Sequence, residues 1–170
     1  MATMTSLVLT AIGDDRAGLV SALAEVISEH GGNWERSQMA ELAGKFAGIV
    51  LVTVPDARAR ELVAALEPLS GVLEVHAHTG GEEDTDAQRF SLRLLGYDLP
   101  GIVRVLSPAV GGHGVIIDQL RCDSREAPMA GGVLFEASAV LDATASVDGH
   151  VLAAALEDLA GELIVDIVLE

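Results

Sequence analysis

The sequence predicts an α+β chain of two tandem domains, each with the element order βαββαβ. Three observations carry this. First, Asp15-Arg16-Ala17-Gly18-Leu19 returns as Asp98-Leu99-Pro100-Gly101-Ile102, a lag of 83 residues (98 − 15) that also relates Gly13 to Gly96, Leu23 to Leu106, His30 to His113 and Gly31 to Gly114. Second, Leu62, Leu66 and Leu69 return as Leu152, Leu156 and Leu159, now with a lag of 90 (152 − 62). Third, residues 79–88 between the copies are glycine-rich and then acidic, without apolar periodicity, as a linker should be. A long period present twice marks a duplicated domain; solenoid units are shorter and need several copies. The lag grows by 7 (90 − 83), so the second copy carries an insertion, placed around residues 124–132.

In the first copy, residues 7–12 form an apolar run suited to a buried strand, and residues 13–18 a turn. Leu19, Leu23, Val26 and Ile27 follow helical spacing, and Gly31-Gly32 stops the helix. Residues 33–42 are polar, as in an edge strand. Gly44 then turns the chain into residues 46–54, apolar enough for a central strand. Pro55 ends that strand, and Asp56 is expected to cap the helix carrying Leu62, Leu66 and Leu69. Leu73, Val75 and Ala77 alternate with Glu74, His76 and His78, a half-buried closing strand. The second copy repeats the order: strand 90–96, helix 102–110, strands 115–123 and 133–141, helix 147–159 and strand 163–169, with Ser146 where Asp56 stood. This order is the ferredoxin-like arrangement, helices on one face of an antiparallel four-stranded sheet. The expected divisions are a first domain over 1–80, a linker over 81–87 and a second domain over 88–170.

Half of the 170 residues are apolar and only 3% are aromatic, so aliphatic side chains must build the cores. A net charge of −16 with no basic run repels phosphate backbones, and no direct nucleic-acid partner is expected. The single cysteine, Cys122, excludes an internal disulfide, suits a reducing compartment, and is expected to pack inside a strand. The beginning of the chain shows no basic segment followed by a long apolar run, and no stretch is long enough to span a bilayer, so the expectation is a soluble cytoplasmic protein with no membrane partner.

The turn Gly13-Asp14-Asp15-Arg16-Ala17-Gly18 joins a strand end to a helix start. The first backbone N–H groups of a helix lack intrahelical partners and carry partial positive charge, so this place suits a carboxylate or small anion. Gly18 would let a ligand approach the backbone closely. Asn33 is expected to reach the same place with an amide that both donates and accepts. The bland alternative is that Asp15 caps the helix and Gly18 only relieves crowding. His30 and His113 stand at equivalent helix ends, where a cation favours the dipole. His76 and His78 share a strand face but have no third metal ligand nearby in sequence, so neither a metal nor another cofactor is expected.

Asp15-Arg16-Ala17-Gly18-Leu19-Val20, an apolar helix, and then His30-Gly31-Gly32-Asn33 before a polar strand resemble the ACT domain, a regulatory amino-acid-binding module. The tandem pair adds a more specific likeness. Ala127-Pro128-Met129-Ala130-Gly131-Gly132-Val133-Leu134-Phe135-Glu136, followed by the run from Leu156 to Ile167, resembles double ACT proteins of the glycine cleavage system transcriptional repressor type. The resemblance implies an amino-acid site at the strand–helix turn, near an interface between paired ACT domains. It places Asp15, Arg16, Ala17, Gly18, Leu19 and Asn33 at one candidate site, and Asp98, Leu99, Pro100, Gly101 and Ile102 at a second. Ile116 replaces the asparagine there (116 − 33 = 83).

No nucleophile elbow, phosphate-binding loop or zinc-protease helix occurs, and two ACT copies leave no residues for a catalytic domain. The expected function is therefore non-enzymatic: small-amino-acid binding, passed on to a protein partner, with any transcriptional role indirect. ACT pairing, within the chain or in a homodimer, is expected to bury sheet edges, which otherwise template association. The competing reading is a protein-interaction module whose turns are purely structural; a small enzyme on the ferredoxin-like scaffold is the weaker third.

Overall fold

The computed structural model describes residues 3–82, 86–129, 131–143, 146–160 and 164–169. The chain separates into two compact units, Met1–Glu82 and Glu83–Glu170. The acidic centre of the expected linker, 83–85, and the expected start of the last strand, 163, fall outside the described residues.

Unit 1 runs β1 (Met4–Asp14), α1 (Leu19–Glu29), β2 (Asn33–Leu42), β3 (Lys45–Pro55), α2 (Asp56–Leu66), a 3₁₀ turn (Glu67–Gly71) and β4 (Glu74–Thr79). Its sheet order is β2-β3-β1-β4, with every neighbouring pair antiparallel. Leu7, Leu9 and Ala11 of β1 alternate onto one face with Val50, Val52 and Val54 of β3. There they meet Leu19, Leu23 and Ile27 of α1 and Leu62 and Leu66 of α2 in one buried cluster. The period of two along the strands and of 3.6 along the helices converge on the same core. β2 and β3 join through Ala43 and Gly44, both at positive φ (51° and 78°), the two-residue hairpin geometry that matches strand twist. Leu69 sits in the 3₁₀ turn rather than in α2, and packs on the core from there.

Unit 2 repeats the plan with β5 (Gln88–Tyr97), α3 (Ile102–Gly112), β6 (Val115–Glu126), β7 (Val133–Ala143), α4 (Gly149–Ala160) and β8 (Ile164–Leu169), in the order β6-β7-β5-β8. The pairings resolve the seven extra residues. Gly13 pairs with Phe46, and Gly96 with Phe135, so the lag is 83 in the first strand but already 89 (135 − 46) in the third. Six residues therefore enter at the β6–β7 connection, where Gly131 and Gly132 take positive φ and the Ala127 N–H donates to the Gly132 carbonyl at 2.9 Å. The seventh lies between β7 and α4.

Two expected caps, at Asp56 and Ser146, are corrected, and the alternative reading of Asp15 as a cap is set aside. Helix α1 starts at Leu19 with Gly18 as N-cap, at φ 91°, and no side chain caps it; Asp15 does not. A Cβ on Gly18 would meet nothing within 4 Å, so this glycine answers a left-handed backbone, which side chains disfavour, and not crowding. Asp56 is the first residue of α2, behind Pro55 as N-cap. Its carboxylate accepts from the Thr5 hydroxyl at 2.6 Å and its N–H donates to the Thr3 carbonyl at 3.0 Å, tying the helix start to the beginning of the chain. In unit 2 the cap is Asp148 instead of Ser146: its Oδ1 accepts from the His150 N–H at 2.8 Å. Cys122 is also corrected, being exposed rather than packed inside its strand. Among the described residues, no helix is long and apolar enough to cross a membrane.

Candidate functional site

The two turns are close copies in backbone and differ in side chains. In unit 1 the Asp15 N–H donates to the Gly44 carbonyl at 2.9 Å, which anchors the turn to the β2–β3 hairpin. Asp14 and Lys45, paired across β1 and β3, form an ion pair beside it, and that ammonium holds the Asp14 carboxyl below its ordinary range. In unit 2 the Asp98 N–H donates to the Val133 carbonyl at 2.8 Å, but Tyr97 and Leu134 occupy the places of Asp14 and Lys45. Gly101, at φ 79°, caps α3 as Gly18 caps α1, again without a side-chain cap. Asp15, Arg16, Ala17 and Gly18 are exposed and Leu19 is buried; Asp98, Leu99, Pro100 and Gly101 are exposed and Ile102 is buried. Each candidate set thus forms one accessible loop whose helix-side apolar residue serves the core.

Asn33 is the exception. It opens β2 opposite Thr53, and Thr53 pairs with Ser6, whereas the turn adjoins Asp14, Lys45 and Leu42 at the other end of the same strands. Eight residues of β1 separate the two ends, roughly 26 Å at 3.3 Å per residue. The expected meeting of Asn33 with the turn does not occur within one unit. A strand–helix–strand crossover returns the chain to the end where the first strand began, so β2 starts beside the start of β1.

Asn33 instead belongs to a polar cluster that spacing did not reveal. The pairing of β2 with β3 slips between Trp34 and Arg36, and that of β6 with β7 slips between Ile117 and Gln119. The bulged residues, Glu35 and Asp118, are 83 apart and both acidic. Superposing the repeats would have exposed this signal. Glu35 Oε1 accepts from Asn33 Nδ2 at 2.7 Å and from Thr53 Oγ1 at 2.6 Å, and these bonds hold its carboxyl below the ordinary range. In unit 2 the matching places carry Ile116, Asp142 and Asp118. Arg89 bridges the two acids, donating from Nε to Asp142 Oδ1 at 2.9 Å and reaching Asp118 at 3.7 Å. The neutral donors of unit 1 have become a charged clamp.

His30 and His113 make the same local bond: each Nδ1 lies 2.7 and 2.6 Å from the carbonyl four residues back, Val26 and Ala109, closing the last helical turn. His76 is exposed beside Glu74, with Nε2 to Oε1 at 2.9 Å. No group of three or more potential metal-ligating side chains occurs among the described residues.

Asp14, Glu35 and Asp56, all in unit 1, have carboxyls held below their ordinary range by partners in the folded state: Lys45 for the first, Thr53 and Asn33 for the second, Thr3 and Thr5 for the third. A depressed folded pKa contributes stability above the unfolded value and loses it as pH falls through the folded value. Unit 1 should therefore soften as pH drops below about 5, with a shallower acid slope for Glu35→Gln. Melting curves from pH 7 to 3 check this, and identical slopes for parent and variant would refute it. Solvent exposure keeps the effect small and salt-sensitive.

Residues 5–79 match the family model of the ACT domain. An unknown protein from Galdieria sulphuraria superposes with a TM-score of 0.87 at 25% identity, covering 99% of both chains. A candidate glycine cleavage system transcriptional repressor superposes with a TM-score of 0.69 at 14% identity, covering 99% of this chain and 100% of that one. A comparison with curated sequences returns no match.

Proposed function

We propose that the chain is a non-enzymatic cytoplasmic sensor that binds a small amino acid and relays its presence to a protein partner, a reading supported by the match of residues 5–79 to the ACT domain family and by the repeat of the same strand order in unit 2. The observation that carries this is the exposed, glycine-capped turn of unit 1, anchored at Gly44 and uncapped by any side chain. The α1 N-terminus favours a carboxylate, and Asp15 offers a counter-charge for an ammonium group. Edge pairing completes the site. β2 is an edge strand, and antiparallel pairing of two β2 strands from two copies of the chain carries Asn33 of one to the hairpin end of the other, beside its turn. Such pairing also covers an edge that would otherwise template association.

The likeness to a candidate repressor supports a regulatory role, and the charge of −16 argues that it acts without touching DNA. A thermal-shift screen against the standard amino acids is the direct test. A ligand at a hundred times its Kd adds about 2.7 kcal/mol to the stability of the domain that binds it, which is several degrees for a domain of this size. One or a few small amino acids should raise the melting temperature. A flat screen at millimolar concentrations would favour the interaction module, for which exposed apolar strand residues such as Ile12 and Ile49 (51% and 55%) are candidates.

A further inference from the structure

Unit 2 ends in an apolar surface where unit 1 is charged. Strand pairing fixes which residues correspond. Asp14 pairs with Lys45 in unit 1, and Tyr97 with Leu134 in unit 2; Ile12 pairs with Glu74, and Leu95 with Ile164. In the turns, Leu99 stands where Arg16 does (99 − 83 = 16). The charged Asp14, Arg16, Lys45 and Glu74 of unit 1 have therefore become Tyr97, Leu99, Leu134 and Ile164.

These side chains lie together within reach of solvent. Leu95 and Tyr97 stand two apart on the sheet face away from the helices, so their partners Ile164 and Leu134 share it. The bond from the Asp98 N–H to the Val133 carbonyl holds Leu99 at the same end of the sheet. A Cβ on Gly132 would stand 3.9 Å from the Tyr97 ring, so the ring rests against the base of the longer β6–β7 connection. Met129, within that connection, is 99% exposed; Ile164 is 67% exposed and Leu99 53%.

A cluster of exposed apolar side chains with a polar margin marks a contact surface for another macromolecule. Its charges select which. The Asp98 carboxylate stands between Tyr97 and Leu99, and among the described residues no cation pairs with it. Arg125, at the margin beside Leu134, is engaged by Glu136 at 3.6 Å. A second copy of the chain would bring the same carboxylate and a like net charge of −16. We propose that this surface docks a protein partner through a segment in which apolar side chains flank a lysine or arginine, the cation facing Asp98. As the surface to which occupancy is relayed it rests on the sensor reading; as a contact it is tested without any amino acid.

The probe is a labelled synthetic peptide alternating leucine and lysine. A peptide alternating serine and lysine, of equal length and charge, measures the attraction of any cation to an acidic protein. Fluorescence anisotropy with the intact protein at physiological salt should show the leucine peptide binding at least about tenfold tighter. Leu99→Ser together with Met129→Ser removes apolar area without changing charge and should abolish that difference; both side chains are exposed, so the fold is kept. Asp98→Asn should weaken the leucine peptide severalfold, and Ile49→Ser, on the open sheet face of unit 1, should leave it unchanged. Equal binding of the two peptides, or parent affinity in the double serine variant, overturns the proposal, as does an equal loss in Ile49→Ser. A parent dimer that dissociates in the double variant, seen by sedimentation, assigns the surface to a second copy and also overturns it. An amino-acid thermal shift that survives in the double variant leaves the sensor reading standing whatever the peptides do.

Discussion

Leu62→Ala should lower the unfolding free energy by about 2–5 kcal/mol, and Leu152→Ala should do the same in the second unit. Both side chains are fully buried. They occupy matching positions on α2 and α4, facing the central strands, and each variant loses the transfer free energy of its side chain and leaves a cavity that the close-packed aliphatic core closes only in part. With few aromatic residues to shift into the gap, relaxation is limited. For a domain of some eighty residues, whose whole stability is about 5–15 kcal/mol, such a loss brings unfolding near ambient temperature. Val63, next to Leu62 but 39% exposed, is the control: its alanine variant should cost about 1 kcal/mol or less. Urea denaturation of the three variants checks the ranking. Equal losses for Leu62→Ala and Val63→Ala would mean that helical periodicity does not identify the buried face here.

Periodicity does identify nearly every element. Leu19, Leu23 and Ile27 occupy the face that their spacing predicts, β2 runs over the expected residues, and the glycines that repeat as Gly18 and Gly101 both take the left-handed conformation that only glycine adopts easily. These features are local, so sequence reports them. The caps were less legible. Asp, Ser and Asn cap helices in general, but which nearby one does so depends on where the preceding strand ends. β3 runs on to Pro55 and leaves Asp56 inside the helix. The bulges at Glu35 and Asp118 are invisible to a period of two, because one strand read alone does not show where its partner slips.

The placement of Asn33 was the largest departure. Residue spacing brings it near the turn along the chain, yet the crossover carries it to the far end of the sheet. Topology, not proximity in sequence, decides which side chains can share a ligand. Cys122, on the edge strand β6, is likewise exposed instead of packed.

Asn33→Ala should weaken amino-acid binding about tenfold to a hundredfold, because an unpaired polar group on a partly buried ligand costs about 1–3 kcal/mol. The effect requires pairing of two copies through β2, since Asn33 lies beyond reach of the turn in its own unit. It should therefore fade when the protein is diluted to monomers, where parent and variant converge. Truncation also removes one of the two side-chain bonds that hold the Glu35 carboxyl low, so its titration should move back toward the ordinary range. That shift shows that the bulge cluster has been opened even if no ligand is present. Ile116→Ala, at the equivalent place in unit 2, takes away only methyl groups and should leave affinity near that of the parent. Gly101→Val forces a side chain onto a backbone at φ 79° and tests the second turn directly. Isothermal titration of the three variants separates the sites. If Asn33→Ala binds like the parent while Gly101→Val abolishes binding, the amino acid sits at the Asp98 turn, and the charged clamp of Arg89 with Asp118 and Asp142, rather than an amide, stands at the start of the matching edge strand.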